Sequence, residues 1–269
     1  MSSPQPAGGP LVLEERSGAV LTLRLNRPEK LNALNPEMCR ALAHALLLAA
    51  DDKSVRVVVL TGAGRGFCAG ADVQYLRDAR LSRSMSDLQA LLEAGKETCL
   101  AIASMPKLVI AAINGPAAGA GMSVALACDL RLASEQATFK QAFAQLGLYP
   151  DFGTTFFLPR LVGLSRASEL FYTSEQLSAA EACGMGIVNR VYPQAQFEEE
   201  TRKLAEGIAA GPPLAYRDLK RTLIGEARRE LERVIDEENR LQIHCFLSED
   251  CAEGLAAFFE KRRPNFRGH

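Results

Sequence analysis

Chemistry in this chain can be offered by backbone groups as readily as by side chains. From Asn114 to Asp129 it reads Asn-Gly-Pro-Ala-Ala-Gly-Ala-Gly-Met-Ser-Val-Ala-Leu-Ala-Cys-Asp, with three glycines and five alanines. The stretch follows an apolar run, Leu108 to Ile113, of strand length and composition, and the apolar residues from Met122 to Cys128 suit a buried helix. A strand, a small-residue turn and a helix together aim N–H groups and a helix N-terminus at whatever lies over the turn. Glycine and alanine let that object approach the main chain. Tight helix packing would need the same small residues, so this stretch alone leaves two readings open. A second turn of the kind, Ala63 to Val73, follows the strand-like run Val55 to Leu60.

Side-chain chemistry is sparser. The seven cysteines are scattered and form no Cys-x-x-Cys pair, which fits reduced, buried thiols in a cytoplasmic protein. The three histidines form no His-x-x-x-His or Cys/His cluster, so no metal site is expected. No Gly-x-Ser-x-Gly anchors a serine nucleophile. Among the acids, Asp72 follows the first glycine turn and reads as shaping it. Asp129 closes the helix after the second turn, and Glu135 falls in a surface turn. Asp151 lies in Pro150-Asp151-Phe152-Gly153, whose residues favour a plain turn.

The elements that must position these residues follow from periodicity. Val20 to Leu25 alternates as a half-exposed strand does. Arg27-Pro28 breaks it, and Asn35-Pro36 opens a helix continuing from Met38 to Ala50. Met85 to Ser104 is amphipathic. Two strand–glycine-turn units about fifty residues apart hint at a repeated layer. Short strands are expected over Asp129 to Leu132, Ala137 to Phe139 and Val188 to Tyr192, with an apolar run from Phe156 to Leu161. Ser178-Ala179-Ala180-Glu181 forms a capping box. From Phe197 the pattern is helical, divided by Pro212-Pro213, and charged with one apolar stripe, as for a surface or a partner subunit. Residues 1–10 read as a disordered lead, 11–196 as the core, and 197–269 as a helical region for oligomer contacts and substrate covering.

With 269 residues, nearly half of them hydrophobic, the chain can bury a substantial core. A net charge of −1 gives no support to a nucleic-acid partner. No apolar run approaches the roughly 20 residues of a membrane helix.

Several separated stretches resemble the enoyl-CoA hydratase/isomerase family, the crotonase fold. They are Arg27-Pro28-Glu29-Lys30-Leu31-Asn32-Ala33-Leu34, Gly66-Phe67-Cys68-Ala69-Gly70-Ala71-Asp72, the turn from Asn114 to Asp129, and the terminal Glu253-Gly254 and Glu260-Lys261-Arg262. The resemblance runs from about Val20 to Arg267. It implies an α/β fold, a crotonase-like spiral of repeated ββα units with a C-terminal helical region, assembled as a homotrimer or a dimer of trimers. It also implies that an acyl-CoA thioester is the substrate, with no separate cofactor. The family's two backbone donors to the thioester oxygen fall at Ala71 and Ala120, where fixed N–H groups would meet negative charge as the α-carbon loses its proton. CoA contacts fall at Lys30, Leu31, Ala33, at Ala69, Gly70, Asp72 and Val73, at Gly119, and at Phe258 and Lys261. The last pair often reaches a neighbouring subunit's CoA.

The resemblance also bears on the reaction. Where hydrating members carry two water-activating glutamates, this chain has Ser123 and Phe143, which cannot activate water as a carboxylate does. Leu146-Gly147-Leu148-Tyr149-Pro150-Asp151-Phe152-Gly153 is instead similar to the turn carrying the acid of double-bond isomerases, above all the ring-epoxide isomerases of phenylacetyl-CoA breakdown. One carboxylate can take a proton from C2 and return it at C4. Beside Tyr149, Phe152 and Phe156, desolvation should raise its pKa. The expectation is therefore an acyl-CoA isomerase with Asp151 as the proton shuttle and Ser123, Phe143 and Tyr149 lining the acyl pocket. A hydratase with another water site and an inactive acyl-CoA-binding protein are the alternatives.

Overall fold

The computed structural model describes residues 9–225 and 227–269. Most of the expected lead, residues 1–8, lies outside the described residues.

The chain opens with an antiparallel pair, β1 (Val12–Ser17) and β2 (Val20–Leu25). β1 is absent from the sequence expectation because its exposed Glu14, Glu15 and Arg16 mask the strand pattern. It forms the edge of the main sheet, where charge is common. Helix α1 (Pro36–Asp51) begins as expected: the Asn35 side chain accepts from the Met38 N–H at 2.9 Å, with Pro36 in the first turn. β3 (Val57–Gly62) starts two residues later than its apolar run suggests. Next come α2 (Val73–Leu81), capped by Asp72, and α3 (Met85–Ser104), with the bounds read from its amphipathic pattern. β4 (Leu108–Ile113), the two-residue β5 (Ala117–Ala118) and α4 (Ala120–Ala127) form the central unit.

β6 (Leu130–Ser134) and β7 (Thr138–Lys140) are offset by a residue or two from the expected runs. The apolar run at Phe156 belongs to α5 (Thr154–Val162), followed by α6 (Leu164–Thr173) and β8 (Gln176–Ser178). The capping box opens α7 (Ala179–Gly184), and β9 (Arg190–Tyr192) follows. The last region is helical: α8 (Phe197–Ala209), α9 (Pro213–Ile224), α10 (Ala227–Leu247) and α11 (Glu249–Glu260).

The main sheet has the order β1-β2-β3-β4-β6-β9, parallel throughout except at β1. Parallel sheets are covered on both faces, and the alternation here shows it. Leu21, Leu23, Val58, Leu60, Val109, Ala111 and Ile113 enter the larger core with α1 and α3. Val20, Val57, Val59, Ile110 and Ala112 meet Phe197, Ala205 and Ala209 of α8 on the other side. The helix that opens the C-terminal region thus closes the second face of the sheet.

A smaller sheet, β5-β7-β8, is extended by the bridges Leu34–Ala71 and Cys68–Ala117. Successive units therefore add one strand to the main sheet and one short segment to this second layer, the spiral that the family resemblance implies. The chain has the crotonase fold, and the candidate site lies where the short segments stack.

Candidate active site

Three loops are tied together before any ligand is considered. Asn32 is fully buried, and its side chain accepts from the Arg27 N–H at 2.9 Å. It donates to the carbonyls of Ala63 (3.0 Å) and Gly66 (2.8 Å). Asn114 ties the turns after β3 and β4 by donating to Gly62 O and Gly64 O and accepting from Gly62 N. The Ala118 N–H then reaches Cys68 O at 3.0 Å. Satisfying these polar groups within the protein fixes the backbone of all three loops.

Glycine is needed at the closest approach. Gly70 has φ +96°, and a Cβ there would lie 2.7 Å from Ala118 O and 3.5 Å from Ala120 N. Gly119 precedes α4 at φ 48°, a conformation that a side chain would strain. The consequence is chemical. Ala71 and Ala120 both border a cavity of about 920 Å³, and among the described residues neither N–H has an acceptor. Ala120 begins α4, so its N–H has no partner within the helix. Two backbone N–H groups without an acceptor thus belong to residues that border one cavity.

Asp151 borders the same cavity and is only 4% exposed. Its Oδ2 accepts from Gln242 Nε2 at 2.9 Å, while Oδ1 is buried with no partner among the described residues. Burial, with the Glu238 charge adding to it, pushes the carboxyl up to about 8 against the pull of the Gln242 hydrogen bond. The turn holding it is constrained. Phe152 sits at φ 58° and Gly153 at φ 76°, and the Phe152 ring fills the space left by Gly95 on α3. The Cys99 thiol donates to Phe152 O at 3.2 Å.

Glu238 and Gln242 are not among the residues that the sequence singles out. Glu238 is 1% exposed and accepts from Gly153 N (2.6 Å), Thr155 N (2.8 Å) and Thr155 Oγ1 (2.5 Å). Burial raises its carboxyl to about 7 although these three donors pull it down. A signal did exist: Leu231, Ile235, Glu238, Gln242 and Phe246 recur at helical spacing and form the buried stripe of α10. Two polar residues on such a stripe require partners.

The other expected contacts divide. Lys30, Leu31, Ala33, Ala69, Gly70, Asp72, Val73, Gly119, Phe143 and Phe258 border the cavity. Asp72 is the N-cap of α2 and pairs with Arg27 Nη2 (2.9 Å) and Lys30 Nζ (2.8 Å). Burial opposes its charge, but these two cations hold its carboxyl below the ordinary value. Asp129 accepts from Lys220 Nζ at 2.7 Å and from Val109 N at 2.8 Å, a structural role.

Three residues are placed differently. Ser123 is fully buried behind the wall and bonds back to Gly119 O at 3.2 Å. Tyr149 stands off the wall, held by its N–H to Gln242 Oε1 at 2.9 Å, and Tyr172 borders the cavity instead. Lys261 is the exposed left-handed residue ending α11, outside the lining of this chain's own cavity, where Arg262 and Arg263 stand. Phe258 reaches this chain's own cavity because Gly254 lets α11 press on Leu146; a Cβ there would lie 2.5 Å from the Leu146 carbonyl carbon. Among the described residues no group of three or more His, Cys, Asp or Glu is placed to hold a metal ion.

A family model described as enoyl-CoA hydratase/isomerase matches residues 15–269. A probable enoyl-CoA hydratase of Rhodobacter capsulatus is 40% identical over 255 residues, covering 94% of this chain and 96% of the relative. The 1,2-epoxyphenylacetyl-CoA isomerase of Escherichia coli K12 is 38% identical over 258 residues, covering 96% and 98%. The crystal structure of an enoyl-CoA hydratase from Mycobacterium avium subsp. paratuberculosis superposes with a TM-score of 0.87 at 36% identity, over 96% of this chain and 98% of that one. A match over nearly the whole length, by family model and by relatives alike, shows that the chain belongs to the enoyl-CoA hydratase/isomerase family.

Proposed function

We propose that this family member is an acyl-CoA isomerase that moves a double bond through a thioester enolate. The observation carrying the reading is the pairing, in one cavity, of two unoccupied backbone donors with one buried carboxylate whose Oδ1 is free. The thioester oxygen would sit on Ala71 N–H and Ala120 N–H. Asp151 Oδ1 would take the C2 proton, the C–H electrons would pass into the enolate, and the protonated acid would return its proton at C4. No water enters this sequence. Ser123 and Phe143, at the positions where hydrating relatives are expected to carry glutamates, offer none an activating base. The 38% identity to the isomerase named above supports an epoxide-bearing or cyclic acyl group as one substrate class.

A hydratase with a different water-holding set is the second reading, favoured by the name of the Rhodobacter relative. Product analysis separates them: a 3-enoyl-CoA should become the conjugated 2-enoyl-CoA, and a 2-enoyl-CoA should gain no water. Accumulation of 3-hydroxyacyl-CoA from the 2-enoyl substrate would favour the hydratase.

We also take the protein to be a homotrimer or dimer of trimers, a proposal supported by the exposed Leu214, Leu219 and Leu223 on α9. Lys261 could then reach a neighbour's CoA. Seven free cysteines suit a reducing compartment such as the cytoplasm. Among the described residues no helix is long and apolar enough to cross a membrane.

A further inference from the structure

The acid turn is a short loop whose conformation is set by a helix about ninety residues downstream. Gln242 and Glu238 lie one turn apart on α10, so both side chains leave the same face. Gln242 has one acceptor and one donor end, and the surroundings decide which faces where. The Tyr149 N–H can only donate, and it meets Gln242 Oε1 at 2.9 Å. The amide nitrogen must therefore face Asp151 Oδ2, which it does at 2.9 Å.

Glu238 works on the other side of Asp151. Its two oxygens take three donors: Gly153 N, Thr155 N and Thr155 Oγ1. A glutamine there has only one oxygen, and its amide would oppose an N–H. The left-handed pair Phe152–Gly153 would then lose one of the bonds that hold it.

We propose that Gln242 and Glu238 are positioning residues, α10 gripping the acid turn on both sides so that Asp151 Oδ2 is held by an amide donor and Oδ1 is left without a partner to carry the proton. The proposal rests on the reading of Asp151 as the proton shuttle. It gives the C-terminal helical region a part in the chemistry beyond covering the substrate. Occupation of Oδ2 by an amide donor leaves a single oxygen to take the proton at C2 and return it at C4. The same donor favours the ionised carboxylate, while the charge of Glu238 opposes it. The other titratable groups nearby are neutral or paired. Cys39 on α1 and Cys99 on α3 are thiols pushed up by burial, and the Tyr149 phenol is pushed up as well. Lys96 is held by Asp236, Arg160 by Glu230 and Arg240 by Glu237.

Gln242→Glu tests this directly. The variant keeps the size of the side chain and an oxygen for the Tyr149 N–H, but turns a second oxygen toward Asp151 Oδ2. Two carboxyls at that separation share a proton. With a short-chain 3-enoyl-CoA, the pH midpoint of kcat/KM should rise by about one unit or more and kcat near pH 7 should fall about tenfold. KM should stay within about twofold, because the CoA contacts lie elsewhere. A merely structural role would move the melting temperature and leave the pH midpoint in place. Should Gln242→Glu fail to fold, Gln242→Met, which has no donor, must move the midpoint in the same direction. A Glu238→Gln variant should lower kcat more than it raises KM.

Wild-type midpoint and kcat in Gln242→Glu would overturn the positioning role. Loss of turnover in Asp151→Asn alongside that result would leave the shuttle standing, whereas full turnover in Asp151→Asn would remove the shuttle itself.

Discussion

Asp151 should weaken the folded protein, and by an amount that depends on pH. In Asp151→Asn the side chain keeps its volume, and its oxygen can still accept from Gln242 Nε2, so the substitution removes the ionisable proton and little else. The carboxyl moves from 3.8 in the unfolded chain to about 8 in the folded one. An acid that holds its proton more tightly when folded lends its full support below about pH 4 and loses it as the pH rises through about 8. Between those limits the wild type loses up to about 1.4 kcal/mol per pH unit. From about pH 5 to about pH 8 the variant should therefore gain roughly 4 kcal/mol on the wild type. For 269 residues this corresponds to roughly 7 °C in Tm, from an unfolding entropy of about 2.1 cal/mol/K per residue. Glu238 is present in both proteins and largely cancels. Thermal unfolding of the two at equal protomer concentration, across that pH range, measures the divergence. Melting curves that stay parallel in pH would refute the idea that Asp151 is a buried acid with raised proton affinity.

Other outcomes follow from the same geometry. The kcat/KM of the wild type for a 3-enoyl-CoA should rise with pH to a midpoint near about 8, where the carboxyl ionises; a profile flat across that range would remove Asp151 as the base. Gly70→Ala places a Cβ 2.7 Å from Ala118 O at φ +96°. Displacing the Ala71 donor should lower kcat by about 10²- to 10³-fold, as steady-state kinetics at saturating substrate will show. Lys220→Met removes the partner of Asp129 and the donor to Ile102 O and Lys107 O. It should cost about 3 kcal/mol in denaturant unfolding while leaving kcat per folded site unchanged.

Much of this was legible because its causes are local. Asn35 and Pro36 start α1 through contacts within one turn, and Ser178 and Glu181 do the same for α7. The buried strands β3 and β4 are nearly continuous apolar runs because helices cover both faces. The small-residue turns at Ala71 and Ala120 stood out because backbones approach there too closely for side chains. What stayed hidden depends on partners far along the chain. β1 exists by pairing with β2, and its own residues Glu14 to Arg16 give no apolar alternation. Gln242 meets Asp151 from 91 residues away, and Glu238 reaches Gly153 from 85. On a charged helix they look like solvated residues until the period through Leu231, Ile235 and Phe246 is followed. Ser123 and Tyr149, expected to line the acyl pocket, do not border the cavity. Ser123 lies inside a helix buried on all sides, and Tyr149 is held by its backbone.

The central claim is that one carboxylate carries the proton while two backbone N–H groups hold the enolate. It is tested most directly by exchange in deuterated water. Wild type and Asp151→Asn would each be incubated with a 3-enoyl-CoA, deuterium at C2 and C4 followed by NMR, and binding of the CoA thioester measured in parallel. The account predicts a shifted double bond in the wild type, with deuterium entering C2 and C4 over repeated reversible turnover as the protonated Asp151 exchanges with solvent, and in Asp151→Asn unchanged binding with both double-bond shift and exchange reduced by at least about 10³-fold. Exchange at the wild-type rate in Asp151→Asn would contradict it.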